Sequence, residues 1–418
     1  MGLDSRWNRR GFLGTAAALA TSLLTPRKLF SKVASGASSP AVTGFGQTGN
    51  PYDELGVGTV INCEGTMTML GGSILRPELE AVMAMAGRHF VSIPELEVAA
   101  GKRISEMLKL PDGYSAIVTS GAAAAIQSGL AGILTGDNEN LIRQLPDLTG
   151  MKSEVIIQKS HRNPFDHQLR NTGIKLIEVE TRDDLRQAVS DRTAMMHFSN
   201  FANASGQIKV DEWVRLGKQL NIPCMNDAAA DTPPVSHLWD YAYMGYDLIT
   251  FSGGKVMRGP QCAGLLIGRK DLVGYALLNN SPHEDTIGRS QKVGKEEIIG
   301  MIKAIEIYLK EDHDALSREW QARLERISQQ ITKIPGVSTE FFTPDIANHV
   351  PHMQITWDSR IALDPKDASK MLRASKPAIA IGGGEDRPGL IMCSFMLQPG
   401  EDKIVAERLS QTLKEHAA

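Results

Sequence analysis

Between Ala116 and Ile267 the chain alternates short, almost unbroken apolar runs with stretches of helical periodicity. The runs fall at 116–118, 154–158, 174–179, 194–198, 222–226, 248–251 and 263–267. Continuous hydrophobicity over so few residues is the pattern of strands buried on both faces, not of strands with one wetted face. Their alternation with helical stretches predicts a mainly parallel, seven-stranded α/β sheet with helices on both sides. The connection from 251 to 263 is too short for a helical crossover, so the strand at 263–267 is expected to run antiparallel to its neighbours.

Outside this region the pattern changes. From Tyr52 to Leu110 it reads as helices with turns, including an amphipathic segment from Pro77 to Phe90. After Gly294 the spacing of Ile298, Met301, Ile302, Ile305 and Leu309 predicts a long helix, followed by a more charged one over 315–334. The remainder, from Val337, mixes short strands at 352–357 and 389–395 with helices at 366–374 and 400–415, a small C-terminal α+β domain. The expected division is 52–110, 111–293 and 294–418.

The first residues follow other rules. Arg9-Arg10-Gly11-Phe12-Leu13 precedes an uncharged stretch from Thr15 to Leu24, closed by Pro26, Arg27 and Lys28. This resembles a twin-arginine export signal, and its apolar run is well short of the ~20 residues that span a bilayer. Residues 1–37 are assigned to it, with Ser35-Gly36-Ala37 suited to a signal peptidase, and 38–51 to a flexible tether. The expected destination is the periplasm, without a membrane anchor.

Composition narrows the rest. The chain has 418 residues, 42% hydrophobic and 22% charged, and a net charge of −3, which leaves no basic face for a nucleic-acid partner. Cys63, Cys224, Cys262 and Cys393 are scattered without a Cys-x-x-Cys, so neither a zinc site nor a disulfide framework is expected.

The candidate chemistry lies where the apolar runs end. Leu248 to Ser252 leads through Gly253-Gly254 to Lys255, the way a chain holds a Schiff-base lysine for pyridoxal 5'-phosphate (PLP), with Ser252 near the phosphate. Alone, that sequence also reads as a plain exposed turn. Asp227, after the run at 222–226, can pair with a pyridine nitrogen or equally cap the following alanine helix. Thr119-Ser120-Gly121-Ala122 opens a helix whose free N–H groups suit one phosphate, with neither P-loop nor dinucleotide spacing. His161 is a candidate to stack on the pyridine, with Phe165 as its rival, and the Asn200 amide a candidate to bind the phenolic oxygen.

In that order, these segments resemble the fold type I PLP-dependent enzymes. With Ile61-Asn62-Cys63-Glu64-Gly65-Thr66, Leu70-Gly71-Gly72 and Gly259-Pro260-Gln261, they resemble more narrowly the branch containing selenocysteine synthase and D-glucosaminate-6-phosphate ammonia-lyase. The resemblance runs from Tyr52 to the C-terminus. It implies PLP as cofactor, Lys255 and Asp227 as catalytic residues, a homodimer, and β-elimination from a 2-amino-3-oxygenated acid or amino sugar acid, yielding a 2-oxo acid and ammonia. Aminotransferase, racemase and desulfurase activity remain open on the same framework, as does a catalytically inactive binding protein. Arg258, Arg289 and Lys292 are candidates to clamp a substrate carboxylate or phosphate, with plain surface solvation as the alternative for each.

Overall fold

The computed structural model describes residues 49–383 and 387–417. The arginine pair, its apolar run and the expected cleavage segment lie outside the described residues. Residues 49–58 belong to a first unit; within it Asn50 caps a short helix, Pro51–Glu54, by accepting the Tyr52 N–H at 3.1 Å. Everything from Thr59 onward forms one second unit.

The strands are β1 (Val60–Asn62), β2 (Tyr114–Thr119), β3 (Glu154–Gln158), β4 (Lys175–Val179), β5 (Thr193–Ser199), β6 (Cys224–Asp227), β7 (Leu248–Ser252), β8 (Gly264–Arg269), β9 (Val337–Phe342), β10 (His352–Trp357), β11 (Ala378–Ala380), β12 (Gly382–Gly383) and β13 (Leu390–Cys393). Seven of them make the main sheet in the order β2-β8-β7-β6-β5-β3-β4. All neighbours are parallel except at β8, which runs antiparallel between β2 and β7. The expected α/β architecture and the reversal of the seventh strand are both present.

Two apolar layers cover this sheet. On one face Phe198, Ile249 and Phe251 pack with Trp213, Tyr246 and the long helix Lys295–Tyr308 through Ile298, Met301 and Ile305. On the other, Val155, Met225, Leu248 and Leu266 pack with helix Gly121–Thr135 through Ala125, Ile126 and Leu130. The wholly buried rows explain why the strands read as continuous runs rather than alternations.

The C-terminal part has its own core, centred on Leu324, Ile327, Met353, Leu390 and Leu409, and an antiparallel sheet in the order β12-β13-β10-β9. One element departs from expectation. The segment read as wholly helical begins with β1, which pairs in parallel with β11, Ile61 opposite Ile379. Three residues carry too short a pattern to announce a strand whose partner lies more than three hundred positions away.

Helix Pro77–Ala86 also differs, being shorter than the amphipathic segment expected to reach Phe90. Leu79 is its one buried residue, while Met85 and the following Phe90 and Val91 are exposed, as are Met67, Met69, Ile74 and Val98 nearby in sequence. Exposed apolar side chains thus recur along residues 67–98.

Helix Ile93–Leu108 guards the open edge of the sheet at β2. Its Glu97 is 2% exposed and accepts the Val118 N–H at 3.3 Å, occupying an edge amide that would otherwise be free to pair with another strand. Burial raises this carboxyl to about 7, against the lowering effect of the Val118 hydrogen bond. The unfolded chain titrates near 4.5, so Glu97's contribution to stability is fully present below that pH and is lost as pH rises through about 7. Glu97→Gln is expected to flatten that decline and to gain roughly 2 kcal/mol over the parent at pH 8. Denaturant unfolding of both proteins from pH 4 to 8 checks it; parallel pH profiles would refute the assignment.

Candidate active site

The register of the sheet assembles the site. Thr119 of β2 pairs with Gly264 of β8, and Gly264 with Ser252 of β7, so the helix start at Ser120-Gly121 and the turn leading to Lys255 lie across one strand from each other. Gly264 is the hinge of this arrangement. A Cβ there would come within 2.5 Å of the Gly121 carbonyl carbon and 2.7 Å of the Ala122 nitrogen, so only glycine lets the helix start close onto the sheet. In the next row, Ser199 of β5 pairs with Asp227 of β6, and Asp227 with Thr250 of β7, so the three side chains share one face.

Asp227 is buried, and its Oδ1 accepts the Ala229 N–H at 3.2 Å and the Thr250 hydroxyl at 3.4 Å. Its Oδ2 has no hydrogen-bond partner among the described residues. Burial holds the carboxyl above the usual range, opposed by the Ala229 N–H and by the nearby Lys255. Burial likewise holds the Lys255 ammonium below its usual range, with Asp227 opposing. Both groups are therefore pushed toward neutrality by the same enclosure. Lys255 is fixed by its turn: its carbonyl accepts the Arg258 N–H at 2.8 Å, and the Gly259 N–H closes onto the Gly253 carbonyl at 2.8 Å. Gly72 sits against the same turn, where a Cβ would strike the Gln261 side chain and the Gly254 carbonyl, which joins the Leu70-Gly71-Gly72 segment to the lysine.

Helix Gly121–Thr135 starts without a side-chain cap, and among the described residues the hydroxyls of Ser120 and Ser252 find no hydrogen-bond partner. Free N–H groups, two free hydroxyls and the positive end of the helix dipole meet at one place.

The decisive comparison is with protein families: the model for L-seryl-tRNA selenium transferase, SelA, matches residues 58–334. The chain belongs to the SelA family. Its relatives include a D-glucosaminate-6-phosphate ammonia lyase of Salmonella typhimurium, 28% identical over 89% of this chain and 100% of that one. A 5'-C-glycyluridine monooxygenase-decarboxylase of a Streptomyces species is 27% identical over 87% of this chain and 92% of that one. A solved structure of D-glucosaminate-6-phosphate ammonia-lyase superposes with a TM-score of 0.76 at 25% identity, covering 88% of this chain and 99% of that one. This SelA-family chain is accordingly an enzyme, and its cofactor is PLP.

The residues present fit that cofactor. The uncapped helix start with Ser120 and Ser252 suits its phosphate, the unpaired Asp227 Oδ2 its ring nitrogen, and Lys255 its aldehyde carbon. Two residues singled out from the sequence are differently employed. The His161 ring has no exposed surface: it lies edge-on to Phe198 at 4.5 Å, its Nδ1 accepts the Ser199 N–H at 3.2 Å, and its Nε2 meets the Gln158 amide at 3.1 Å. Burial and the neighbouring Lys209 lower it to about 4, so it is a neutral core residue and offers no face for stacking. Asn163, two residues on, is the one that reaches the Asp227 row, donating to the Ser199 hydroxyl at 3.1 Å. Phe165 is largely exposed.

Asn200 lies just past the end of β5, and its amide nitrogen donates to Asp231 Oδ2 and to the Tyr241 hydroxyl at 2.7 Å. With both N–H groups committed, it has no donor left for a phenolic oxygen. The Tyr241 hydroxyl also donates to Asp231 Oδ2, and the Asp231 Oδ1 accepts the Ala347 N–H at 3.2 Å. Sequence reasoning missed this buried network; the acid four residues after Asp227 was the available signal.

Arg258 donates to the Ile74 carbonyl at 2.9 Å, beside the Lys255 turn. Arg289 and Lys292 lie on a loop held to helix Gly121–Thr135 by Gln291 and Gln127 at 2.7 Å, and neither side chain has an ion-pair partner among the described residues.

Because Asp231 depends on Tyr241 for a buried O–H donor, Tyr241→Phe is expected to cost about 1–3 kcal/mol of stability while leaving PLP uptake intact. Denaturant melts and the cofactor absorbance of the variant check both halves.

Proposed function

We propose that the enzyme is an ammonia-lyase acting on a 2-amino acid with an oxygen leaving group at C3, releasing a 2-oxo acid and ammonia. The observation that carries this reading is the buried approach of Lys255 and Asp227 at the carboxyl ends of β7 and β6, under an uncapped helix start. The alignment of the Salmonella ammonia lyase along nearly the whole chain supports the choice of reaction.

PLP, when bound, supplies an electron sink for the pair left at the substrate's Cα once its proton is removed. Each residue then has a defined task. Lys255 Nζ, whose enclosure favours the neutral amine, would anchor the cofactor and, as a free amine, would take the proton from the substrate's Cα. The ammonium so formed can return that proton to the departing C3 hydroxyl, which leaves as water, and a water then hydrolyses the released enamine, through its imine tautomer, to the 2-oxo acid and ammonia. Asp227 Oδ2 holds a proton at the ring nitrogen, with Thr250 and the Ala229 N–H fixing the carboxyl's orientation through Oδ1. The N–H groups from Gly121 onward and the Ser120 and Ser252 hydroxyls hold the phosphate and fix the ring's position.

We also infer a homodimer through the exposed apolar segment of Met69, Met85, Phe90 and Val98.

Two measurements test these readings. Borohydride is expected to fix PLP covalently in the parent and not in Lys255→Ala, and a panel of D- and L-amino acids and amino sugar acids should yield ammonia and 2-oxo acid in equal amounts. A 2-oxo acid without ammonia would assign an aminotransferase instead, and an amino acid of inverted configuration a racemase. Light scattering should report a dimer that Phe90→Asp weakens; a monomeric, active parent would sink the interface.

A further inference from the structure

Arg258 combines features that surface solvation does not explain. Its backbone sits at φ +55°, in the left-handed region that a residue with a Cβ disfavours. Its half-buried guanidinium has no carboxylate partner among the described residues, and burial, with Arg76 close by, lowers it from its usual range. Instead its Nε donates to the Ile74 carbonyl at 2.9 Å and its Nη2 to the next carbonyl, Leu75, at 3.5 Å. A strained backbone bearing an enclosed, unpaired charge persists only where the contacts around it over-determine it.

Those contacts close a strap over the lysine. Segment 70–76 meets the turn on both sides of Lys255: Gly72 lies against the Gly254 carbonyl, one residue before it, and Ile74-Leu75 are gripped by Arg258, three residues after it. Arg76 fastens the end of the segment to Glu311 at 2.6 Å. Between the two contact points Val256 and Met257 are buried in the main core, and the Arg258 N–H returns to the Lys255 carbonyl at 2.8 Å. The lysine backbone is thus held by core packing at Val256 and Met257 and by the guanidinium of Arg258.

We propose that Arg258 is a positioning residue for Lys255, which ties segment 70–76 to the turn and so fixes where Nζ stands, and that it does not grip substrate. The inference rests on the reading of Lys255 as the reacting amine and replaces the substrate-clamp role that the sequence offers for Arg258. The rival is concrete, since Arg258 also lines a cavity of about 200 Å³, with Arg76, Tyr308, Trp320 and Phe395, that an anion could enter. Geometry favours the strap. The side-on Nε–Nη2 edge, one of the two by which a guanidinium takes an oxyanion through paired N–H bonds, already faces the Ile74 and Leu75 carbonyls.

The test uses variants of the full chain. Arg258→Gly removes the guanidinium and relaxes the backbone, so a folded protein is expected; Arg258→Lys keeps the charge and a donor, and Arg258→Gln serves if the glycine variant does not fold. Amide hydrogen exchange of residues 70–76, which needs no cofactor, is expected to speed about tenfold or more in Arg258→Gly and less in Arg258→Lys. In the PLP-loaded protein the pH midpoint of the cofactor's absorbance change is expected to move by about half a unit or more in Arg258→Gly and to return toward the parent's in Arg258→Lys. Turnover of the substrate found by the panel should lose kcat at unchanged KM.

Exchange equal to the parent's overturns the proposal, and so does faster exchange with an unmoved midpoint, which would make the strap a stability device to which Lys255 is indifferent. A raised KM at unchanged kcat would restore the substrate clamp. If the parent takes up no PLP, the reading of Lys255 as the reacting amine fails by itself. The rate at which an amine-reactive acetylating reagent labels Lys255 in the bare chain then decides the positioning: several-fold faster labelling in Arg258→Gly is expected, and an equal rate overturns it.

Discussion

The close approach at Gly264 is the constraint on which the rest of the site depends. An antiparallel strand in an otherwise parallel sheet brings its first residue level with the last residues of both neighbours, Thr119 and Ser252. Because that first residue has no side chain, helix Gly121–Thr135 can settle against it with its leading N–H groups free. Reverse the strand and Gly264 would sit at the opposite end of the sheet, away from both the helix start and the lysine turn. Add a methyl group and the helix start would be forced outward. Chain topology and one missing Cβ therefore do the positioning, and the polar residues only have to stand where those two features put them.

The electrostatics follow from the same enclosure. Asp227 and Lys255 are each too buried to ionise freely, yet each steadies the charged form of the other. A pair balanced in this way changes protonation at modest cost when a new polar partner enters, which is what a proton-handling site needs. Burial of the same kind at Glu97 serves another end, since there a carboxyl closes a sheet edge.

Much of this was legible before the fold was seen, and for a physical reason. Buried parallel strands must be continuously apolar, and functional side chains must follow them, so β3, β5, β6, β7 and β8 and the residues at Ser120, Asp227 and Lys255 stand out from composition alone. What stayed hidden was direction. Asn200 and His161 lie at strand ends as expected, but their side chains are taken up by Asp231 and Tyr241 in one case and by Ser199, Gln158 and Phe198 in the other. Past the last ladder residue, alternation no longer says where a side chain points. The cavity around Arg258 was equally unreadable, because Arg76, Tyr308 and Phe395 are neighbours only in space.

The pairing of β1 with β11 has a consequence for how the enzyme comes into being. Ile61 leaves the ribosome early, yet the strand it sits beside contains Ile379, made when the chain is nearly complete. The segment that follows β1, carrying Gly72 against the lysine turn and Arg76 beside Glu311, therefore waits on the last part of translation for its own anchor. The seven-stranded sheet can form while synthesis continues, but the site it frames closes only at the end. A truncated product would thus keep the sheet-borne Ser120, Asp227 and Lys255 but lack the strand that pairs with β1.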